Sequence, residues 1–245
     1  MKRPAKRSIS QRIRSLSLFL VLSTAMMGMT TTLLFSLRME YQSMDRNLMN
    51  SAQVLAQSPQ LYKQAMVGVF ERVYEIGRQF RNEGIDIKHN PEFTLCEMYQ
   101  AYTDYNGMME LTETLIANAS LAVNGTTEIT YQNQPVSLTP PFRRLPMLDA
   151  VKEYSGVDFD AFRGDTAKAR AMAGERGLEY KETDQWGDIV NLFFEAYVEE
   201  KLVQPTFITM HPVDVSPLAK RSPRDKRLTE RFELFVCRSE MGNAF

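Results

Sequence analysis

Residues 72–105 read RVYEIGRQFRNEGIDIKHNPEFTLCEMYQAYTDY, and this stretch decides the fold around it. RVYEIGRQF and EFTLCEMYQAY are rich in Val, Ile, Phe, Tyr and Thr, and the polar segment between them carries Gly84, Asp86, Asn90 and Pro91. That pattern predicts two antiparallel strands joined by a long loop. Alternation along the second strand puts Phe93, Leu95, Glu97, Tyr99 and Ala101 on one face, and Thr94, Cys96, Met98, Gln100 and Tyr102 on the other. The carboxylate of Glu97 thus shares a face with apolar and aromatic residues, and its own run holds no Lys or Arg. Buried, it needs a cationic or hydrogen-bonding partner, which a bound cation would supply; at a sheet edge it would point to water instead. Arg81, just ahead of the polar loop, reads either as a solvated charge or as a fork for a phosphate.

The strings FRNEG, HNPEFT and CEMYQAYTDY resemble motif 2 of the lysine-specific branch of the class II aminoacyl-tRNA synthetases. The likeness continues through TPPFRRLPM (139–147), QWGDIVNLFFEAYVEEKLVQPTFIT (185–209), HPVDVSPLAK (211–220) and LTERFELFVCRSEMGNAF (228–245), about three quarters of the chain. It implies an α+β fold over residues 60–245, an antiparallel class II sheet with flanking helices. It also implies a lysine–tRNA ligase-like function, in which lysine is activated with ATP and transferred to tRNA(Lys). Under the resemblance Arg81 is the catalytic residue, contacting the α-phosphate of ATP. Glu83, His89 and Asn90 line the nucleotide, and Phe93 stacks on adenine. Glu97 and Tyr99 receive the ε-ammonium of lysine, Asn243 and Phe245 close around it, and Glu233 and Glu240 hold Mg2+ on the phosphates.

Motifs 1 and 3 of that family are not read in this sequence, so the resemblance implies an incomplete core with weak or absent activity by itself. Motif 1 builds the family's dimer interface, which leaves dimerisation open. The segment leading into the hairpin, SPQLYKQAMVGVFERV, is one residue shorter than the usual lysine-branch string and lacks its substrate-binding glutamate.

Residues 1–59 read differently. Lys2, Arg3, Lys6, Arg7, Arg12 and Arg14 precede a stretch, Ser15–Leu37, without a single charge, and 23 such residues suffice to span a bilayer core. The flanking charges predict a signal anchor with its basic end cytoplasmic; a cleaved signal peptide and a mitochondrial presequence are the alternatives. QRIRSLSLFLVLSTAMMG with the helical pattern over 38–59 resembles the N-terminal membrane segment of bacterial sensor kinases. Two readings therefore stand: a membrane-anchored or, if the synthetase-like part is the working unit, cytoplasmic lysine–tRNA ligase-like chain, and a non-enzymatic sensor-like or chimeric protein carrying a synthetase relic.

Composition supports a folded chain, with 44% apolar and 24% charged residues and a net charge of −1. Charge is split between +6 over residues 1–58 and −7 over the remainder, so the larger part is no basic nucleic-acid module. Cys96 and Cys237 suggest neither a disulfide framework nor a metal spacing, and His89 and His211 make a histidine-based zinc site improbable. Elsewhere the pattern predicts a helix over 106–121 with Met108, Met109, Leu111, Thr112, Leu115, Ile116 and Ala119 inward. It predicts two short strands around Gln132-Asn133-Gln134, a helix over 165–177 broken by Gly174 and Gly177, and an amphipathic helix in 183–202. A strand TFITM and a final antiparallel pair complete the expectation, and in that pair the odd separation of Glu233 and Glu240 demands a turn before both can face one ion.

Overall fold

The computed structural model describes residues 60–80 and 90–245. Helix α1 (Gln60–Val67) precedes strands β1 (Arg72–Phe80) and β2 (Glu92–Gln100), which form a sheet of their own, as their composition predicts. Exposure in β1 alternates strictly, with Arg72, Tyr74, Ile76, Arg78 and Phe80 facing water. In β2 the covered set begins Phe93, Leu95, Glu97, and the exposed set is Glu92, Thr94 and Cys96, the expected period of two. Arg78 Nη1 donates to Glu92 Oε1 at 3.0 Å, and lower down Ala101 N donates to Glu71 O at 2.8 Å. By compactness, described residues 60–63, 75–80 and 90–97 belong to one unit, and 64–74 with 98–245 to a second.

Within the second unit, helix α2 (Tyr105–Asn124) starts where Asp104 accepts from the backbone N–H groups of Asn106 and Gly107, at 3.0 and 3.1 Å. This caps two amides that have no partner inside the helix. Its buried side is Met108, Met109, Glu113, Ala117 and Ser120, while Leu115 is 44% exposed, which corrects the expected apolar face. The reason is polar. Glu113 accepts from Phe142 N at 2.8 Å and pairs with Arg144 Nη2 at 3.1 Å, so a carboxylate serves an inward position. Strands β3 (Glu128–Tyr131) and β4 (Gln134–Ser137) follow, joined by Gln132 and Asn133, both at positive φ, as a two-residue hairpin turn requires.

The main sheet has the order β5-β6-β7-β8, from β5 (Arg143–Pro146), β6 (Thr206–Thr209), β7 (Phe232–Val236) and β8 (Ser239–Ala244). β5 runs parallel to β6, so this sheet is mixed and not purely antiparallel as expected. The parallel pair needs a crossover, and α3 (Met147–Ser155), α4 (Thr166–Glu175) and α5 (Trp186–Tyr197) lie within it. Gly174 sits inside α4, and only Gly177, at φ 70°, lies beyond its end, so the expected break is at one glycine.

Adjacent strand residues face opposite ways, and the sheet accordingly has a core on each side. Met108, Met109, Phe142, Phe207, Phe232 and Leu234 cluster on one. Ile208 and Phe235 join Trp186, Ile189, Val190, Phe193 and Phe194 of α5 and Val151 of α3 on the other. Among the described residues no helix is long and apolar enough to cross a membrane, and the expected span 15–37 lies outside them.

Candidate functional site

Of the expected hairpin residues, Arg81, Glu83 and His89 lie outside the described residues. Asn90 is exposed, and its Oδ1 accepts from Glu92 N at 3.3 Å, a local turn that opens β2. Phe93 is half-buried on the covered face. Glu97 keeps 19% of its side chain exposed, and its partner comes from the chain itself: Lys63 of α1, 2% exposed, forms an ion pair with Glu97 and a second, at 2.6 Å, with Glu75 of β1. The cation that the Glu97 run lacked is therefore supplied from α1. Two carboxylates side by side are a setting that favours a primary ammonium. Two residues on in β2, Tyr99 is half-buried, and burial raises its phenol above the ordinary value.

The second group of expected residues sits on the β7–β8 hairpin. Val236 pairs with Ser239 across a two-residue turn whose Cys237 and Arg238 have φ of 52° and 67°. The pairing then runs Phe235 to Glu240, Leu234 to Gly242 and Glu233 to Asn243, with Met241 as the extra residue of a bulge. That bulge reconciles the odd spacing, because Glu240, Asn243 and Glu233 now share one face of the pair. Asn243 Nδ2 donates to Glu240 Oε1 at 2.8 Å. Glu233 is clamped by Arg231 Nη2 at 2.6 Å, and the buried His211 places Nε2 3.3 Å from its other oxygen. Burial pushes the Glu233 carboxyl up, but His211 and Arg231 outweigh it and hold the group below the usual carboxylate range. Phe245, just past β8, is exposed at 58%.

No group of three or more His, Cys, Asp or Glu side chains among the described residues forms a metal cage. Two carboxylates on one strand face fit a different kind of site, since magnesium is commonly held by one or two carboxylates together with substrate phosphates. Of the residues expected for it, Glu233 is engaged by Arg231 and His211, and Glu240 by Asn243. A polar cavity of about 370 Å³ lies elsewhere in the second unit, between Gly164, Trp186, Asp214, Arg221 and Arg227, and none of the expected site residues lines it. Arg227 stacks over Trp186 at 5.2 Å and pairs with Asp160 and Asp225.

The sequence profile of the family described as "tRNA synthetases class II (D, K and N)" matches residues 29–245. The chain belongs to that family. Among curated class II synthetases it is 55% identical over 183 residues to a lysine–tRNA ligase of Halalkalibacterium halodurans, covering 75% of this chain and 36% of that protein. A lysine–tRNA ligase of Enterococcus faecalis is 56% identical over 183 residues, with the same coverage, and one of Pelotomaculum thermopropionicum 53% over 191 residues, or 77% and 38%. The chain thus spans somewhat over a third of the length of the synthetases it matches. As a class II synthetase chain it carries two features that sequence reasoning missed, Lys63 and Glu75. The one signal for them was Glu97, a carboxylate among apolar residues in a run without Lys or Arg, which asked for a cation without saying where from.

Proposed function

We propose that this chain works in lysine activation, as part of a lysine–tRNA ligase. The observation that carries the reading is the Glu97–Glu75 pair, a carboxylate cluster that holds a primary ammonium on the hairpin, in a chain whose relatives bear that enzyme's name. In the proposed reaction the lysine carboxylate attacks the α-phosphorus of ATP, the bond to the β-phosphate breaks and pyrophosphate leaves. A ribose hydroxyl at the end of tRNA(Lys) then attacks the adenylate carbonyl and releases AMP. Arg81 neutralises charge on the α-phosphate, Glu83, His89 and Asn90 orient the nucleotide, and Phe93 stacks on adenine. Glu97 and Tyr99 bind the lysine ammonium, and Asn243 and Phe245 enclose it. Glu233 and Glu240 would hold magnesium, which supplies charge neutralisation on the phosphates when bound. Such chemistry rests on positioning and charge, so no general base is required for activation. Lysine-dependent ATP–pyrophosphate exchange tests the reading. Exchange that Arg81→Ala or Glu97→Ala abolishes supports it, and exchange indifferent to lysine contradicts it.

A second element of the proposal is a domain division near residue 60, with attachment to a membrane through the uncharged residues 15–37, whose flanking charges keep the basic end cytoplasmic. It is carried by the charge pattern alone. Fractionation before and after removing residues 1–38 tests it: loss of membrane association is expected, and an unchanged soluble distribution overturns it.

A further inference from the structure

We propose that Lys63 is a built-in occupant of the lysine side-chain site, and so sets how tightly this chain takes its amino acid. The inference rests on the reading of Glu97 given above. Lys63, Glu75 and Glu97 belong to the same compact unit, and the Lys63 ammonium, 2% exposed, is in contact with both carboxylates. A buried ammonium held this way is not an incidental surface pair, since removing it from water requires compensation by both carboxylates. An incoming ammonium finds the same two acceptors already engaged. A lysine ammonium carries three donors, and the pair can satisfy it only where the first occupant yields.

Lys63 can yield. It sits on α1, a helix of eight residues, and its side chain is a flexible four-carbon stem whose charge is readily rehydrated. The free chain is then an equilibrium between a closed form, with Lys63 seated, and an open form that binds lysine. Apparent affinity falls by the open fraction, so a Lys63 seated in about nine of ten molecules weakens lysine binding about tenfold. Specificity follows as well. A ligand must bring a full positive charge to displace the occupant, and a neutral side chain of the same length cannot.

The test is calorimetric titration of the full chain with lysine, norleucine and ATP, on wild type, Lys63→Met and Lys63→Gln. Lys63→Met is expected to bind lysine about tenfold or more tightly than wild type, with Lys63→Gln, which retains an N–H donor for Glu97, in between. The gain disappears in Lys63→Met combined with Glu97→Ala, and norleucine gains nothing from either single substitution. Lysine also raises the melting temperature of Lys63→Met more than that of wild type, by linkage. Equal lysine affinity in wild type and both variants overturns the role of Lys63 and leaves the lysine reading standing. Absence of lysine binding in every variant, with ATP still bound, overturns both. If Lys63→Met does not melt cooperatively, Lys63→Gln alone decides, an affinity gain supporting the proposal and none overturning it.

Discussion

In the β1–β2 hairpin, five of the nine β1 residues face water and the strand carboxylates close on a buried ammonium from α1. In the four-stranded sheet, β7 sends Phe232 and Leu234 into one apolar core and Phe235 into another, and its single carboxylate is clamped by Arg231, the residue just before the strand. The two regions are therefore stabilised by different physics. Apolar burial in the sheet is non-directional and scales with area, whereas the hairpin's order depends on which charge sits opposite which. The comparison teaches where chemistry can be changed: an ion cluster has alternative partners, and a close-packed core has none.

Emptying the core should have the largest effect. Phe193 is fully buried, edge-on to Phe159 at 4.8 Å and stacked on Tyr197 at 5.5 Å, so Phe193→Ala is expected to cost about 3–5 kcal/mol in chemical unfolding. A loss below about 1 kcal/mol would erase the contrast between the two regions. Next comes the polar exception inside the second unit. Glu113→Ala strands the Phe142 N–H and removes the partner of Arg144, for an expected loss of about 1–3 kcal/mol by the same measurement.

Asp104→Ala removes the cap of α2 and should cost about 1 kcal/mol near neutral pH. The side-chain hydrogen bond from Asn106, then the backbone N–H of Gly107, hold the Asp104 carboxyl below its ordinary value. Its folded pKa is thus depressed. The contribution is complete above the unfolded value, about 4, and is lost as pH falls through the folded one, so wild type and Asp104→Ala should converge in acid. Thermal melts of both proteins between pH 7 and 2.5 check this. The smallest effect is expected in the hairpin, where Arg78 and Glu92 are both largely exposed. Arg78→Ala should change stability by about 0–1 kcal/mol, less at high salt, and a larger loss would mean that surface charge organises the hairpin.

How far sequence reached depended on the kind of information each element needs. β1 and β2 were legible because alternation and turn residues are local, and α5 because Trp186, Ile189, Val190, Phe193 and Phe194 recur at helical spacing. α3, β5 and the parallel β5–β6 pairing were not drawn from pattern. A four-residue strand such as Arg143–Pro146, with two arginines, carries no periodic signal, and its pairing is fixed by partners some 60 residues away. Glu113 was missed for a related reason, since only the fold brings Phe142 N to it. Within the site, the need of Glu97 for a cation was legible, and the supply of that cation by Lys63 was not. The reverse held at the β7–β8 hairpin, where the odd spacing of Glu233 and Glu240 announced an irregularity, and the bulge at Met241 together with the Cys237–Arg238 turn is what provides it.

The most direct test of the central claim is lysine-dependent ATP–pyrophosphate exchange by the full chain, run beside Glu97→Ala after both proteins are shown to melt cooperatively. Exchange that requires lysine and vanishes with Glu97→Ala is the result this account predicts. Folded protein that catalyses no exchange, or exchange untouched by the loss of Glu97, would contradict it.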